Sequence, residues 1–205
     1  MGRPIAQTMS HHGADWLIRG EREEEENTAL LLEKLDLTPG QTVCDVGAGN
    51  GYHALKMAER VGSKGEVVAV DIQPQMLQKL RARAKTAGVT NVTTVLGAQD
   101  DPKLGQGRCD LILLVDVYHE FSRPKRMLEL MKAALREGGR IALVEFRAED
   151  PKVPIKKLHK MTRAQMVSEF ASVGLAPVDS FDGLPWQHLM FFAPSIAAAD
   201  STRGP

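Results

Sequence analysis

Residues 42–46, Thr-Val-Cys-Asp-Val, run without a break into Gly47-Ala48-Gly49-Asn50-Gly51, and a helical pattern resumes at Tyr52. Glycine at three alternate positions permits positive φ and lets a ligand approach the backbone without meeting a Cβ. A strand, a glycine turn and a helix in that order belong at the carboxyl edge of a parallel sheet, where doubly wound folds bind ligands. The rest of the chain must then supply that sheet, and it does. Short β-type runs at 42–46, 66–70, 92–96, 110–115, 140–146, 176–180 and 188–193 alternate with helical patterns, the signature of βαβ units. The first five runs have apolar interiors suited to burial on both faces. The expectation is an α/β, Rossmann-like, doubly wound sheet of seven strands.

The intervening helices carry their own punctuation. Pro74 opens one whose Met76, Leu77, Leu80 and Ala84 share a face before Gly88, and Pro124 opens another whose stripe Met127, Leu128, Met131, Ala134 and Leu135 ends at Gly138-Gly139. Thr162 and Gln165 form a capping-box pair ahead of Met166, Phe170 and Val173. Upstream, the charged run Glu21–Glu26 leads into Leu30, Leu31, Leu32 and Leu35, which reads as one helix with a solvated start and an apolar end. This divides the chain into an N-terminal helical extension or lid (1–40), a ligand-binding domain (41–194) and a flexible tail (195–205).

Charge and cysteine usage limit the partners. Twenty-six Lys+Arg balance twenty-six Asp+Glu among 205 residues, so no overall positive field draws nucleic acid or an anionic membrane surface. Residues 1–16 lack the charged start and apolar run of a signal peptide, and no apolar stretch is long enough to span a bilayer, which together predict a cytoplasmic protein. Cys44 and Cys109 open apolar runs rather than forming a metal or redox spacing, so buried reduced thiols are expected.

Two acids frame the glycine turn. Asp45 stands two residues before Gly47, and Asp71 closes the run Val67–Val70, twenty residues after Gly51. An acid at the second position accepts ribose hydroxyls, and one at the first meets a cationic amino group. A dinucleotide site shares this architecture, but its third glycine falls one place later, where this chain has Tyr52.

The order Val43–Tyr52, Val68–Ile72, Asp110–Asp116 and Leu135–Arg140 resembles the successive motifs of class I S-adenosylmethionine-dependent methyltransferases, over roughly residues 37–193. In style it is similar to the bacterial branch of ubiquinone/menaquinone and arsenite methyltransferase-like proteins. The resemblance implies strand order 3-2-1-4-5-7-6 with the seventh strand antiparallel, and S-adenosylmethionine as cofactor with S-adenosylhomocysteine as product. It further implies that Asp45, Gly47, Gly49 and Gly51 line the methionine end, that Asp71 and Ile72 hold ribose and an edge of adenine, and that Ala48 and Asp116 also bind the cofactor. The loop after the third strand, through Ala98, Gln99 or Asp100, then meets the adenine amino group.

The fourth strand delivers Asp116-Val117-Tyr118-His119-Glu120-Phe121 to the same edge. The segment has no proline, unlike the Asn/Asp-Pro-Pro-Tyr/Phe of enzymes acting on nucleobase or glutamine nitrogens, and neither cysteine is placed as a nucleophile. A small-molecule acceptor is the reading that remains. Since a sulfonium is already a strong electrophile, the protein's task is alignment plus proton removal. His119 is the candidate base, Asp116 its neighbour three residues back, and Glu120 a group that orients it or binds a cationic substrate; the alternative is that His119 caps a turn and Asp116 holds the loop. His11, His12, His159 and His188 lie in segments able to fold over this edge, with residues 11–16 and 156–161 as candidate lids, but no local spacing supports a metal. A non-catalytic cofactor-binding module and a nicotinamide oxidoreductase are the rival functions.

Overall fold

The computed structural model describes residues 1–195; the tail expected over 195–205 lies, from 196 onward, outside them. Eight strands form one sheet: β1 (Thr42–Val46), β2 (Glu66–Asp71), β3 (Val92–Leu96), β4 (Cys109–Val115), β5 (Leu135–Arg147), β6 (Lys160–Met161), β7 (Leu175–Phe181) and β8 (Gln187–Pro194). Their order is β3-β2-β1-β4-β5-β8-β7, with β6 attached to β5. The pairs β1–β2, β1–β4, β2–β3 and β4–β5 are parallel, while β8 is antiparallel to both β5 and β7. With the two-residue β6 set aside, this is the expected order. Among the described residues no helix is long and apolar enough to cross a membrane.

Side-chain alternation splits the core in two. Cys44, Val46, Val68, Val70, Ile112, Leu114, Ile141 and Leu143 face one side, where α5 (Pro124–Ala134) and α6 (Arg163–Ala171) cover them with Met127, Leu128, Met131, Met166 and Phe170. Val43, Val67, Ala69, Leu111, Leu113, Ala142 and Val144 face the other. There α2 (Thr28–Lys34) supplies Leu31 and Leu32, α3 (Tyr52–Val61) supplies Ala54, Met57, Ala58 and Val61, and α4 (Pro74–Ala87) supplies Leu80. Each fully buried side chain of this size contributes about 1.5–3 kcal/mol, so two covered faces hold β1, β4 and β5 rigidly at the centre. Their carboxyl ends are the fixed points of the site.

Four expectations are corrected. β3 is not buried on both faces: as the edge strand its residues are half-buried or exposed, Leu96 at 47 %. Leu135 leaves the α5 stripe and starts β5, pairing with Cys109. The single helix expected from Glu21 is two, α1 (Arg22–Glu26) and α2, because Asn27 takes a left-handed conformation (φ 49°) and caps α2 by accepting from Leu30 N. The thiols of Cys44 and Cys109 are joined in a disulfide, with Cα atoms 6.0 Å apart and both residues fully buried. Adjacent strands β1 and β4 bring the two sulfurs onto one face. The predicted cap of α6 is present, Gln165 N donating to Thr162 Oγ1 at 3.1 Å, but the Gln165 side chain turns to Glu169 rather than back.

Candidate functional site

At the carboxyl end of β1 the chain turns over the neighbouring strand. Gly47 N and Ala48 N both donate to Val70 O (2.8 and 2.9 Å), and Gly49 N donates to Asp71 Oδ2 at 2.9 Å. Asp71 Oδ1 accepts from Gln73 N at 2.8 Å, so this carboxylate ties the glycine turn to the start of α4. Gly47 has φ +84°, and a Cβ there would lie 2.4 Å from Val117 Cγ2. Only glycine lets the segment after β4 pack directly on the turn.

Two buried carboxylates face this turn incompletely satisfied. Asp45 Oδ2 and Asp116 Oδ1 have no hydrogen-bond partner. Burial, reinforced by the charge of Asp71 and opposed by Arg22, pushes Asp45 up to about 7. Asp116, at φ 50°, accepts from Gln187 Nε2 at 2.8 Å through its other oxygen. Burial first, then the charges of Glu26 and Glu145, raise its pKa well above the carboxylate range. An orphaned buried acceptor is costly unless a donor meets it. Two of them, at the ends of neighbouring strands, fit a ligand carrying an ammonium and a sulfonium, as S-adenosylmethionine does.

The acid run before α2 contributes to this end, contrary to the expectation of a solvated helix start. Glu26 is 3 % exposed and accepts from Arg22 Nε at 2.7 Å. Arg22 also donates to Leu17 O at 2.7 Å and reaches His53 Nε2 at 3.1 Å. A guanidinium only donates, so His53 Nε2 accepts and its proton sits on Nδ1. Burial and then Arg22 hold the His53 pKa well below its ordinary value. The residues from 9 to 18 lie across the turn: Asn50 Nδ2 donates to Ala14 O at 2.7 Å, Gln73 Nε2 to Met9 O at 2.8 Å, and His11 N to Gln73 Oε1 at 2.9 Å. Past the end of β2, Ile72 is 40 % exposed, and the loop after β3 closes through Ala98 N to Asp101 O. Gln99 is exposed there, and Asp100 pairs with Arg123 at 3.5 Å.

Opposite lies the turn Tyr118–Glu120. His119 is buried, and Glu145 of β5 holds it twice: Oε1 accepts His119 N at 3.1 Å and Oε2 contacts Nδ1 at 2.6 Å. A carboxylate accepts, so Nδ1 carries the proton and Nε2 points away, 3.1 Å from His159 Nδ1. Burial works to lower the His119 pKa, but the charge and hydrogen bond of Glu145 prevail and raise it. Burial lowers His159, helped by His119 and Lys156. Burial also pushes Glu120 up to about 7, against the pull of His119. Arg3 braces the turn by donating to the carbonyls of Tyr118 and His119 at 2.8 Å each, and pairs with Glu169 at 3.1 Å.

The structure thus joins His119, Glu120 and His159, and it replaces the expected orienting groups. Glu145, not Glu120 or Asp116, holds the imidazole. His188 pairs instead with Glu149 at 2.9 Å, and the rings of His11 and His12 lie tilted against each other with centroids 4.1 Å apart. Glu145, Gln187 and Arg3 carried no local signal in the sequence, since each acts through a partner distant along the chain; Arg22 and Glu26 pair at i,i+4 spacing inside a run of like acids that hides them.

A family model described as "Methyltransferase domain" matches residues 37–188. A protein-L-isoaspartate O-methyltransferase from Ignicoccus hospitalis is 28% identical over 150 residues, 73% of this chain and 68% of that protein. Its counterpart from Methanococcus maripaludis is 30% identical over 152 residues, 74% and 69% of the two chains. The same enzyme from Archaeoglobus fulgidus aligns at 41% over 69 residues, 34% of this chain and only 32% of that one. Among solved structures, a SAM dependent methyltransferase from Aquifex aeolicus superposes with TM-score 0.84 at 20% identity, covering 90% of this chain and 98% of that one. A TehB-like SAM-dependent methyltransferase from Corynebacterium glutamicum superposes with TM-score 0.66 at 14% identity, covering 90% and 98%. The match over residues 37–188, on a sheet of this order with acids placed around its glycine turn, makes the chain a member of the S-adenosylmethionine-dependent methyltransferase family.

Proposed function

We propose that the protein transfers a methyl group to a small-molecule acceptor whose nucleophile carries a proton, such as a hydroxyl or thiol. The observation that carries this is the His119–Glu145 pair. A buried imidazole held at its backbone and at Nδ1 by one carboxylate presents a lone pair on Nε2, the arrangement of a positioned general base. S-adenosylmethionine supplies the methyl on a sulfonium. The acceptor's nucleophile forms the new bond to carbon while the carbon–sulfur bond breaks, sulfur keeps the electron pair, and the acceptor proton passes to Nε2. Asp45 and Asp116 hold the cationic end of the donor, the loop of Ala98, Gln99 and Asp100 borders its adenine, and Glu120 faces the acceptor. A phenolic or quinol-type hydroxyl, in keeping with the resemblance to the ubiquinone/menaquinone branch, fits this end. Arsenite does not, because both cysteines are tied in the core disulfide.

The archaeal relatives favour a second reading, methylation of an isoaspartyl carboxylate in a protein. A carboxylate needs no base, and at this end it would meet Glu120 and the Glu145-bound histidine. A labelled-methyl panel containing phenols, thiols and an isoaspartyl peptide separates the two. Turnover of a phenol or thiol that drops roughly 10²–10⁴-fold in His119→Ala is the expected result. Turnover confined to the isoaspartyl peptide and indifferent to His119→Ala would replace this reading with the second.

A further inference from the structure

The proposed transfer uses only one of three donor atoms gathered at the acceptor end. His119 Nε2 and His159 Nδ1 lie 3.1 Å apart, and with a carboxylate oxygen of Glu120 all three fall within 4.8 Å of one another. The three residues come from the turn after β4 and the segment before β6, forty positions apart in the chain, so the fold rather than a local spacing assembles them. Glu145 fixes both the tautomer and the ring plane of His119 from behind, at 2.6 and 3.1 Å. A carboxylate hydrogen-bonded to the far nitrogen of an imidazole is the standard support of a metal-ligating histidine. A tetrahedral ion with ~2.1 Å bonds sets its donors about 3.4 Å apart, and the two imidazole nitrogens already span one such edge. Glu120, half-buried and held by a 3.4 Å bond from Met9 N and by the Thr8 side chain, completes the set by rotating its carboxylate inward.

We propose that His119, His159 and Glu120 form a divalent-cation site, with zinc the ion best suited to two imidazoles and a carboxylate, and a fourth position open to the acceptor. The identity of that fourth ligand rests on the transferase reading above; ion binding does not. The base role of Nε2 belongs to the ion-free chain; with an ion bound that lone pair is committed, and the ion would instead stabilise the deprotonated acceptor as a Lewis acid, the acceptor's proton leaving to solvent.

The full chain, freed of any tag and stripped with a chelator, is titrated with Zn²⁺ alone and with Co²⁺ alone. One equivalent is retained, and Co²⁺ gives the visible absorption of a four-coordinate site. His159→Ala and Glu120→Gln each weaken binding at least tenfold. Glu145→Gln weakens it roughly 10–100-fold, as loss of a supporting carboxylate does, and shifts the Co²⁺ spectrum. The double variant His11→Ala/His12→Ala binds as the parent does. S-adenosylmethionine binding, measured on every sample, reports an intact fold and tests the donor end separately. No retained ion in a parent chain that binds S-adenosylmethionine, retention unchanged in His159→Ala/Glu120→Gln, or loss in the His11/His12 variant overturns the site. A parent chain that binds the ion but not S-adenosylmethionine overturns the transferase reading instead.

Discussion

Moving the pH from 6 to 8 carries Asp45 from mostly protonated to mostly ionised, because burial and the neighbouring Asp71 raise its pKa to about 7. With that midpoint the ionised fraction is about 0.09 at pH 6, 0.5 at pH 7 and 0.9 at pH 8, a tenfold change worth about 1.4 kcal/mol. The amino group of S-adenosylmethionine itself begins to lose its proton near pH 8, but that loss is common to parent and variant, so the ratio of their affinities follows the ionised fraction of Asp45. A hydrogen bond to a charged group contributes about 1.5–3 kcal/mol, so Asp45→Asn at pH 8 weakens binding by roughly 10–100-fold. At pH 6, where the parent carboxyl is itself mostly neutral, the same substitution costs about a tenth of that factor. Calorimetric titration of both proteins at pH 6, 7 and 8 gives the quantity that matters, the ratio of the two affinities. Taking the ratio removes the titration of Asp116, which is common to both. A ratio that stays constant across the three pH values would refute the assignment of Asp45 to the donor's cationic end.

Three further outcomes follow from the geometry. Gly47→Ala adds a Cβ 2.4 Å from Val117 at φ +84°; the left-handed backbone alone costs about 1–2 kcal/mol, and S-adenosylmethionine binding falls with the melting temperature, whereas an unchanged melting curve would contradict the packing described. Because Glu145 raises the His119 pKa above its ordinary 6.5, kcat/KM on a protonated acceptor rises with pH through a midpoint above that value. Glu145→Gln removes the two largest raising effects, leaving burial and Arg3 against the charge of Glu120, and moves the midpoint down; a midpoint unmoved in a folded variant would dissociate Glu145 from the base. The disulfide closes a loop with 65 residues of separation, worth up to about 4 kcal/mol in the chain-entropy model, so a reductant shifts guanidinium unfolding to lower concentration. Transitions that coincide with and without reductant, or free alkylation of both thiols in unfolded, unreduced protein, would count against the bond.

The donor end was legible because its information is local. Asp45 and Gly47 are two residues apart, and the run before Asp71 announces its own strand, so alternation and glycine spacing suffice to place them on one edge. Burial on β3 is not a local property: Val92 and Val95 look like core, and it is the sheet order, with strand 3 already at an edge in the expected arrangement, that leaves them half-buried. The disulfide depends on adjacency across the sheet, where strands 1 and 4 are neighbours, and not on any spacing along the chain. Glu26 was hidden in a run of like residues. Nothing in Glu23 to Glu26 singles it out until Asn27 breaks the helix and turns Arg22 and Glu26 inward.

The acceptor end depends on contacts that no window of sequence contains, and residues 116–120 are where the two ends meet. Val117 packs on Gly47 at the donor turn, Asp116 leaves a bare oxygen beside it, and three residues later His119 faces Glu145 and His159. A non-glycine residue at φ 50° costs about 1–3 kcal/mol and persists only where its surroundings enforce it. At Asp116 the enforcement comes from Gln187, whose amide holds the carboxylate from β8. Val117 and His119 follow Asp116 within three residues, so a change in its backbone bears on both contacts. On the proposed assignment the strained residue would couple the donor to the base, and the strand that holds it is the antiparallel β8, which contributes no glycine loop and no motif of its own.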